Sequence, residues 1–159
     1  MATTRKLLTL AMVRQGENIL LGFKKKGFGQ GKWNGFGGKV EMGETICQAT
    51  IRELEEESGL IAKAMDKVAI LEFEFLNDPV ILEVHVYDIV KYEGEPIESD
   101  EMVPQWFPVN DIPYEKMWLD DLIWYPEYLK GSKFKAYFLY EGFDKILKHS
   151  ISPVQELPL

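Results

Sequence analysis

Cysteine is almost missing from this sequence. Its one thiol, Cys47, excludes an intramolecular disulfide framework and fits a reducing compartment. Histidine occurs twice, at His85 and His149, with no acidic or cysteine partner at metal-ligand spacing, and neither receives a role. Basic residues are outnumbered, 18 against 26 acidic, giving a formal charge of -8 and a pI of about 4.9. That balance excludes an even basic coat for nucleic-acid polymers. Long apolar runs are missing too: after Met1-Ala2-Thr3-Thr4-Arg5-Lys6 comes only a short one, less than a secretory core or membrane span needs. No repeat, low-complexity tract or linker divides the 159 residues, so residues 1–159 are expected to form one soluble, intracellular domain. A hydrophobic content of 46% and an aromatic content of 13% suffice for a core held by neither metal nor disulfide.

Leu7–Val13 and Ile19–Phe23 read as strands around a turn at Gln15–Asn18. The next segment, Gly27–Gly38, holds six of the thirteen glycines and cannot be a regular helix; it suits a backbone that must approach another group closely. Thr45–Ser58 is predicted as a helix, capped by Thr45 with Gln48 as its capping-box partner and stopped by Gly59. Its buried stripe is read as Cys47, Thr50, Ile51, Leu54 and Ser58. Strands follow at Val68–Leu76 and Val80–Val90, around Asn77-Asp78-Pro79, and at Gln105–Val109, where Pro104 and Pro108 mark limits or an edge. A second helix lies within Leu119–Lys130, with Pro126 expected to kink or shorten it, and Phe134–Tyr140 is a late strand. Ser152–Leu159 is expected to be a loose tail. Strands predominate over two helices, which makes the class α+β or mixed α/β.

The first of those helices carries the chemistry. At about 100° per residue, Glu53, Glu56 and Glu57 share one face. Carboxylates that close repel, and at a helix C-terminus the dipole adds to the penalty. Acidic runs are ordinarily solvated faces. Selection for helix stability alone would place Lys or Arg there, whereas a hard divalent cation such as Mg2+, which takes oxygen ligands and substrate phosphates, compensates the repulsion.

The order of the whole segment decides between these readings. Gly38, Glu44, Arg52, Glu53, Leu54, Glu56, Glu57, Gly59 and Leu60 match G-x5-E-x7-R-E-U-x-E-E-x-G-U, where U is a bulky aliphatic residue. The sequence therefore resembles the Nudix hydrolases. The resemblance implies an α/β/α sandwich with a mixed sheet and two main helices. It also implies Mg2+ as cofactor, and water attacking a phosphorus of a nucleoside diphosphate linked to another group. Carried over by position, Glu53, Glu56 and Glu57 are metal ligands, the Gly38 carbonyl adds an oxygen, and Arg52 orients a glutamate by a charge-assisted hydrogen bond. Glu44 shapes the turn into the helix. Either Glu57 or the distant Glu101, itself a further candidate ligand, serves as general base.

Within the family, Trp33–Lys39, Glu98–Met102 and Met117–Asp121 resemble the branch acting on oxidized purine nucleoside triphosphates, with similarity from about Leu7 to Leu147. Such an enzyme is expected to be a monomer that binds a nucleoside triphosphate, needs no nucleic-acid polymer or membrane, and works in the cytoplasm, with mitochondrial matrix and nucleus as further compartments. Asp120 and Asp121, if buried, would share a proton, so that one donates to a purine edge while the other accepts. Asn34 can donate and accept at once, Trp118 can stack on the base, and Phe28, Phe73 and Met102 would be walls. Lys24 and Thr9 complete the expected substrate contacts. The family's Trp-Pro-Asp-Asp run is here Trp118-Leu119-Asp120-Asp121, which removes a rigidifying proline. Cys47, on the inner stripe without basic neighbours, is expected to pack rather than react. Two other readings stay open: hydrolysis of ADP-ribose or a dinucleoside polyphosphate, and a non-catalytic nucleotide-sensing module, which would be expected to lose box glutamates that this chain keeps.

Overall fold

Alternation along β1 (Thr4–Gln15) divides the protein into layers. Leu10 and Met12 enter one buried cluster while their neighbours Ala11 and Val13 enter another, so the strand is apolar on both faces and lies inside the sheet. The fold is a computed structural model that describes residues 3–158; the expectations for Met1, Ala2 and Leu159 fall outside them. In chain order follow β2 (Asn18–Lys24), β3 (Trp33–Asn34), α1 (Ile46–Ser58), β4 (Ile61–Phe75), β5 (Val80–Glu93), β6 (Met102–Pro108), α2 (Asp121–Leu129), β7 (Phe134–Glu141) and β8 (Lys145–Pro153). One mixed sheet runs β3-β2-β1-β5-β4-β7-β8, with β6 paired to β2. The β1–β5 and β4–β7 pairs are parallel and the other pairs antiparallel.

The helices cover opposite faces. Trp124, Tyr125 and Tyr128 of α2 pack with Leu10, Met12, Leu71 and Phe138, whereas Leu54 of α1 packs with Ala11, Val13, Phe36 and Tyr87. This is the expected α/β/α sandwich with two main helices. Helix α1 starts with the anticipated capping box: Gln48 N–H donates to Thr45 Oγ1 and Thr45 N–H to Gln48 Oε1. Gly59 ends it in the left-handed region, at φ 81°, and its N–H donates to the Glu55 carbonyl. None of the described helices is long and apolar enough to cross a membrane.

Several boundaries move. Strand β4 begins at Ile61, seven residues before the apolar run at Val68, because its first half is bulged and half-exposed and shows no clean alternation. Strand β6 starts at Met102 and admits Pro104 and Pro108, as an edge strand can. Pro126 sits inside α2 without ending it. The expected loose tail is corrected at its start: Ser152 and Pro153 finish β8, Val154 N–H donates to the Lys133 carbonyl, and Lys67 Nζ donates to the Pro158 carbonyl. In the α1 stripe Ala49 and Glu57 are buried, while Ile51 turns outward. Cys47 is half-buried, its Sγ 3.5 Å from the Tyr87 hydroxyl, as a packing residue.

Candidate active site

A cavity of about 850 Å³ opens between the glycine-rich segment, the strand ends of β1, β4 and β5, and the start of α2. It brings together Thr9, Lys24, Phe28, Asn34, Gly38, Glu57, Phe73, Met102, Trp118, Asp120 and Asp121. Arg52, Glu53, Glu56 and Glu101 do not line it; Glu101 joins its polar end through Lys24, and Arg52, which holds Glu53 and Glu56, through the Lys39 carbonyl. The carboxylates of α1 lie at that end and the Asp120–Asp121 pair lies among aromatic rings at the other.

At the polar end Arg52 acts as a hub. Its Nε and Nη2 donate to the two carboxylate oxygens of Glu44 at 2.6 and 2.9 Å, a bidentate pair. Its Nη1 donates to Glu53 at 2.9 Å and to Glu56 at 3.2 Å, and its Nη2 also reaches the Lys39 carbonyl. The hydrogen bonds from Arg52 hold the Glu44 carboxyl down at about 2. Glu44 also accepts from Glu41 N–H, which closes the turn before the helix as expected. Burial pushes the Glu53 carboxyl up, against the pull of Arg52.

Gly37 and Gly38 press β1 and α1 together. A Cβ on Gly37 would fall 1.8 Å from the Thr9 carbonyl oxygen, and one on Gly38 would fall 2.6 Å from the Glu53 carboxylate. At Gly37, where the obstacle is backbone, only glycine fits, whereas at Gly38 the Glu53 side chain would have to move. The approach delivers Gly37 N–H to Glu57 Oε1 at 2.9 Å, while the Gly38 carbonyl accepts from Thr9 N–H at 2.8 Å and keeps a second lone pair. Glu57 is 5% exposed, and burial raises its carboxyl to about 7. Lys24 Nζ stands 3.6 Å from Glu57 and 2.8 Å from Glu101. Burial lowers the pKa of this ammonium, but its bond to Glu101 and the charge of Glu57 outweigh that and hold it above its usual value. The same bond lowers Glu101.

At the apolar end, Asp120 and Asp121 start α2 but do not cap it; Asp120 makes no side-chain bond to the first-turn amides. Both carboxyls turn inward and are buried. Asp120 Oδ1 accepts from the Tyr140 hydroxyl at 2.6 Å and its Oδ2 from Trp124 Nε1 at 2.8 Å. Burial raises both acids, and the neighbouring charge of Asp120 raises Asp121 further. Asp120, which receives two donors, is the more readily ionised member of the pair, and Asp121, which lacks them, is pushed up further. Two buried polar atoms of residues lining the cavity, Asp121 Oδ2 and Thr9 Oγ1, have no hydrogen-bond partner among the described residues. Asn34 Oδ1 accepts from Gly35 N–H, which fixes the orientation of the amide and leaves one lone pair and both N–H donors. Trp118 stacks on Phe28, with ring centroids 5.1 Å apart.

The sequence matches the NUDIX domain family over residues 4–128. This chain belongs to the Nudix family. The oxidized purine nucleoside triphosphate hydrolase of Danio rerio is 51% identical over 154 residues, covering 97% of this chain and 99% of the relative. The Mus musculus protein of the same name is 45% identical, over 96% of this chain and 97% of its own length. This similarity runs past Leu147, where the motif comparison ended it. The crystal structure of a MutT protein from Bacillus halodurans superposes with a TM-score of 0.78 at 22% identity, covering 92% and 97% of the two chains, and shares the fold.

Nudix hydrolases generally use a divalent metal, and the residues present fit one: an oxygen-only donor set, a glycine pressed against Glu53, and a lysine ammonium already placed between Glu57 and Glu101. Among the described residues no three carboxylate, histidine or cysteine side chains yet surround a single ion-sized point. Arg52 holds Glu53 and Glu56, while Gly37 and Lys24 hold Glu57. Sequence reasoning missed Tyr140 and Trp124, the donors that fix Asp120. The period-two burial of Phe134, Ala136, Phe138 and Tyr140 puts Tyr140 on the α2 face, which is the signal that was available.

Proposed function

We propose that this Nudix hydrolase converts oxidized purine nucleoside triphosphates, such as 8-oxo-dGTP and 2-hydroxy-dATP, to the monophosphate and pyrophosphate with Mg2+ as cofactor. The observation that carries the reading is one cavity that the box residues Gly38 and Glu57 line together with the buried Asp120–Asp121 pair, and in which two buried oxygens, Asp121 Oδ2 and Thr9 Oγ1, find no partner among the described residues. The two vertebrate relatives named for this activity, matched over nearly their whole length, support it.

The reaction is hydrolysis at the β-phosphorus. Water adds its oxygen there, the bond from that phosphorus to the α–β bridging oxygen breaks, and the nucleoside monophosphate leaves. A bound divalent cation supplies positive charge against the phosphoryl oxygens. Glu53, Glu56, Glu57 and the Gly38 carbonyl would hold it, with Glu101 beside them. Arg52 holds Glu53 and Glu56 in place through fixed donors. Glu57 is the better placed general base of the two candidates, because it lines the cavity beside Gly37 and Gly38, whereas Glu101 lies outside the lining and is engaged by Lys24 at 2.8 Å. Lys24 binds phosphate oxygens once a cation takes over its carboxylate partners.

At the base end, protonated Asp121 donates to a purine acceptor, Asp120 accepts from purine N–H groups, and the Asn34 amide donates. Exchanging the proton between the two aspartates lets the same pocket read a different purine edge. Trp118, Phe28, Phe73 and Met102 supply stacking and walls, worth roughly 1–3 kcal/mol per stacked base. The enzyme is proposed to act as a monomer on the nucleotide pool of the cytoplasm, and of mitochondrial matrix and nucleus, without binding nucleic-acid polymers or membranes. A competition panel of ADP-ribose, diadenosine polyphosphate, dGTP and 8-oxo-dGTP tests the reading. The expected winner is 8-oxo-dGTP, with pyrophosphate as product; preference for ADP-ribose, or no turnover of any member, would overturn it.

A further inference from the structure

Phe143 occupies the turn between β7 and β8, flanked by Glu141-Gly142 and Asp144, where polar residues are the usual choice. It is 54% exposed, yet its ring stands edge-on to three others: Phe28 at 5.8 Å and 78°, Phe75 at 5.9 Å and 71°, and Trp118 at 5.8 Å and 79°. These rings come from separate parts of the chain: the glycine-rich loop, the end of β4 and the segment before α2. Phe28 is itself 64% exposed, and the aromatic rings beside it are Trp118 and Phe143. All four line the cavity at its base end. The stack of Phe28 on Trp118 leaves no layer for a purine between them, so a base that stacks on Trp118 must use the other face of the indole, a ring that the edge of Tyr140 at 6.4 Å and Lys32 Nζ at 5.3 Å also contact. Whatever fixes the tilt of the indole then fixes the platform on which the base rests.

We infer that Phe143 is a positioning residue for purine binding, which locks Trp118 and Phe28 into one rigid wall at the mouth of the base pocket. The inference rests on the proposed purine nucleotide reading and adds to it a residue from the far end of the chain. Edge-to-face pairs of this geometry strengthen a cluster beyond simple area burial. A wall already ordered before the base arrives loses less freedom on binding.

The test compares wild type with Phe143→Ala, Phe143→Leu and Phe143→Tyr, using 8-oxo-dGTP with Mg2+, calorimetric binding of 8-oxo-dGMP without metal, and inhibition by pyrophosphate. Phe143→Ala should raise KM and weaken 8-oxo-dGMP binding by about tenfold, the size of one to two lost ring contacts. Its kcat and its pyrophosphate inhibition should stay within about twofold, because both belong to the polar end. Phe143→Leu should fall between Ala and wild type and serves if the alanine variant is insoluble; Phe143→Tyr should restore both constants. Unchanged KM and 8-oxo-dGMP binding in an otherwise active Phe143→Ala or Phe143→Leu enzyme would overturn the role of Phe143 alone. So would an equal loss in kcat and pyrophosphate inhibition, which marks general damage. Failure of the wild type to hydrolyse 8-oxo-dGTP would overturn the purine nucleotide reading, and this inference with it.

Discussion

Glu57→Gln should give a metal-free protein that is more stable than wild type at neutral pH and nearly inactive. Burial lifts this carboxyl from 4.5 to about 7. The folded state therefore holds its proton more tightly than the unfolded chain does. Its contribution is fully present below pH 4.5, is lost as the pH rises through 7, and stays lost above that. At ~1.36 kcal/mol per unit, the loss is about 3 kcal/mol. Glutamine keeps the Oε1 acceptor for Gly37 N–H but carries no charge, so it avoids the penalty. Urea unfolding of both proteins in chelator, from pH 4.5 to pH 8, measures the effect. The two should be nearly equal at pH 4.5 and should separate to about 3 kcal/mol in favour of Glu57→Gln by pH 8. Parallel pH profiles would refute the claim that burial outweighs the attraction of Lys24 at this carboxylate. Adding Mg2+ at pH 8 should narrow the gap, by stabilising wild type and not the variant.

Other substitutions test the remaining parts of the site. Arg52→Lys should lower kcat at least tenfold and weaken Mg2+ binding measured by calorimetry, because a point ammonium cannot hold Glu44 bidentately while also reaching Glu53 and Glu56. Asp120→Asn and Asp121→Asn should each reduce discrimination of 8-oxo-dGTP from dGTP by about tenfold or more in kcat/KM; two variants that discriminate like wild type would remove the shared-proton account. Gly37→Ala should be destabilised by more than about 3 kcal/mol in urea unfolding, since its Cβ would overlap the Thr9 carbonyl at 1.8 Å and neither β1 nor α1 is free to retreat.

The parts of this protein that could be read in advance are those that local chemistry specifies. The capping box, the Gly59 stop and the three glutamates of α1 are spacing relations within one helix; the strand and helix pattern alone gave only a mixed class, and the sandwich came from the family resemblance. The first half of β4 and the whole of β8 were hidden because they are bulged or exposed and carry no clean alternation; only pairing with neighbours makes them strands. At the site, the motif revealed which carboxylates gather, but not that Arg52 holds three of them or that Lys24 faces Glu57 and Glu101. The aspartate pair was visible as adjacent letters, whereas its burial depends on Tyr140 and Trp124, brought to it by β7 and by one turn of α2. Phe143 gave no signal at all, because a phenylalanine in a turn acquires meaning only from the three rings around it.

The most direct measurement is hydrolysis of 8-oxo-dGTP by wild-type protein in 18O-labelled water, with Mg2+ and again with chelator. Attack at the β-phosphorus in the box-glutamate end of the cavity predicts one labelled oxygen in pyrophosphate, none in 8-oxo-dGMP, and negligible turnover in chelator. Label in the monophosphate, stepwise release of single phosphates, or undiminished turnover in chelator would contradict it.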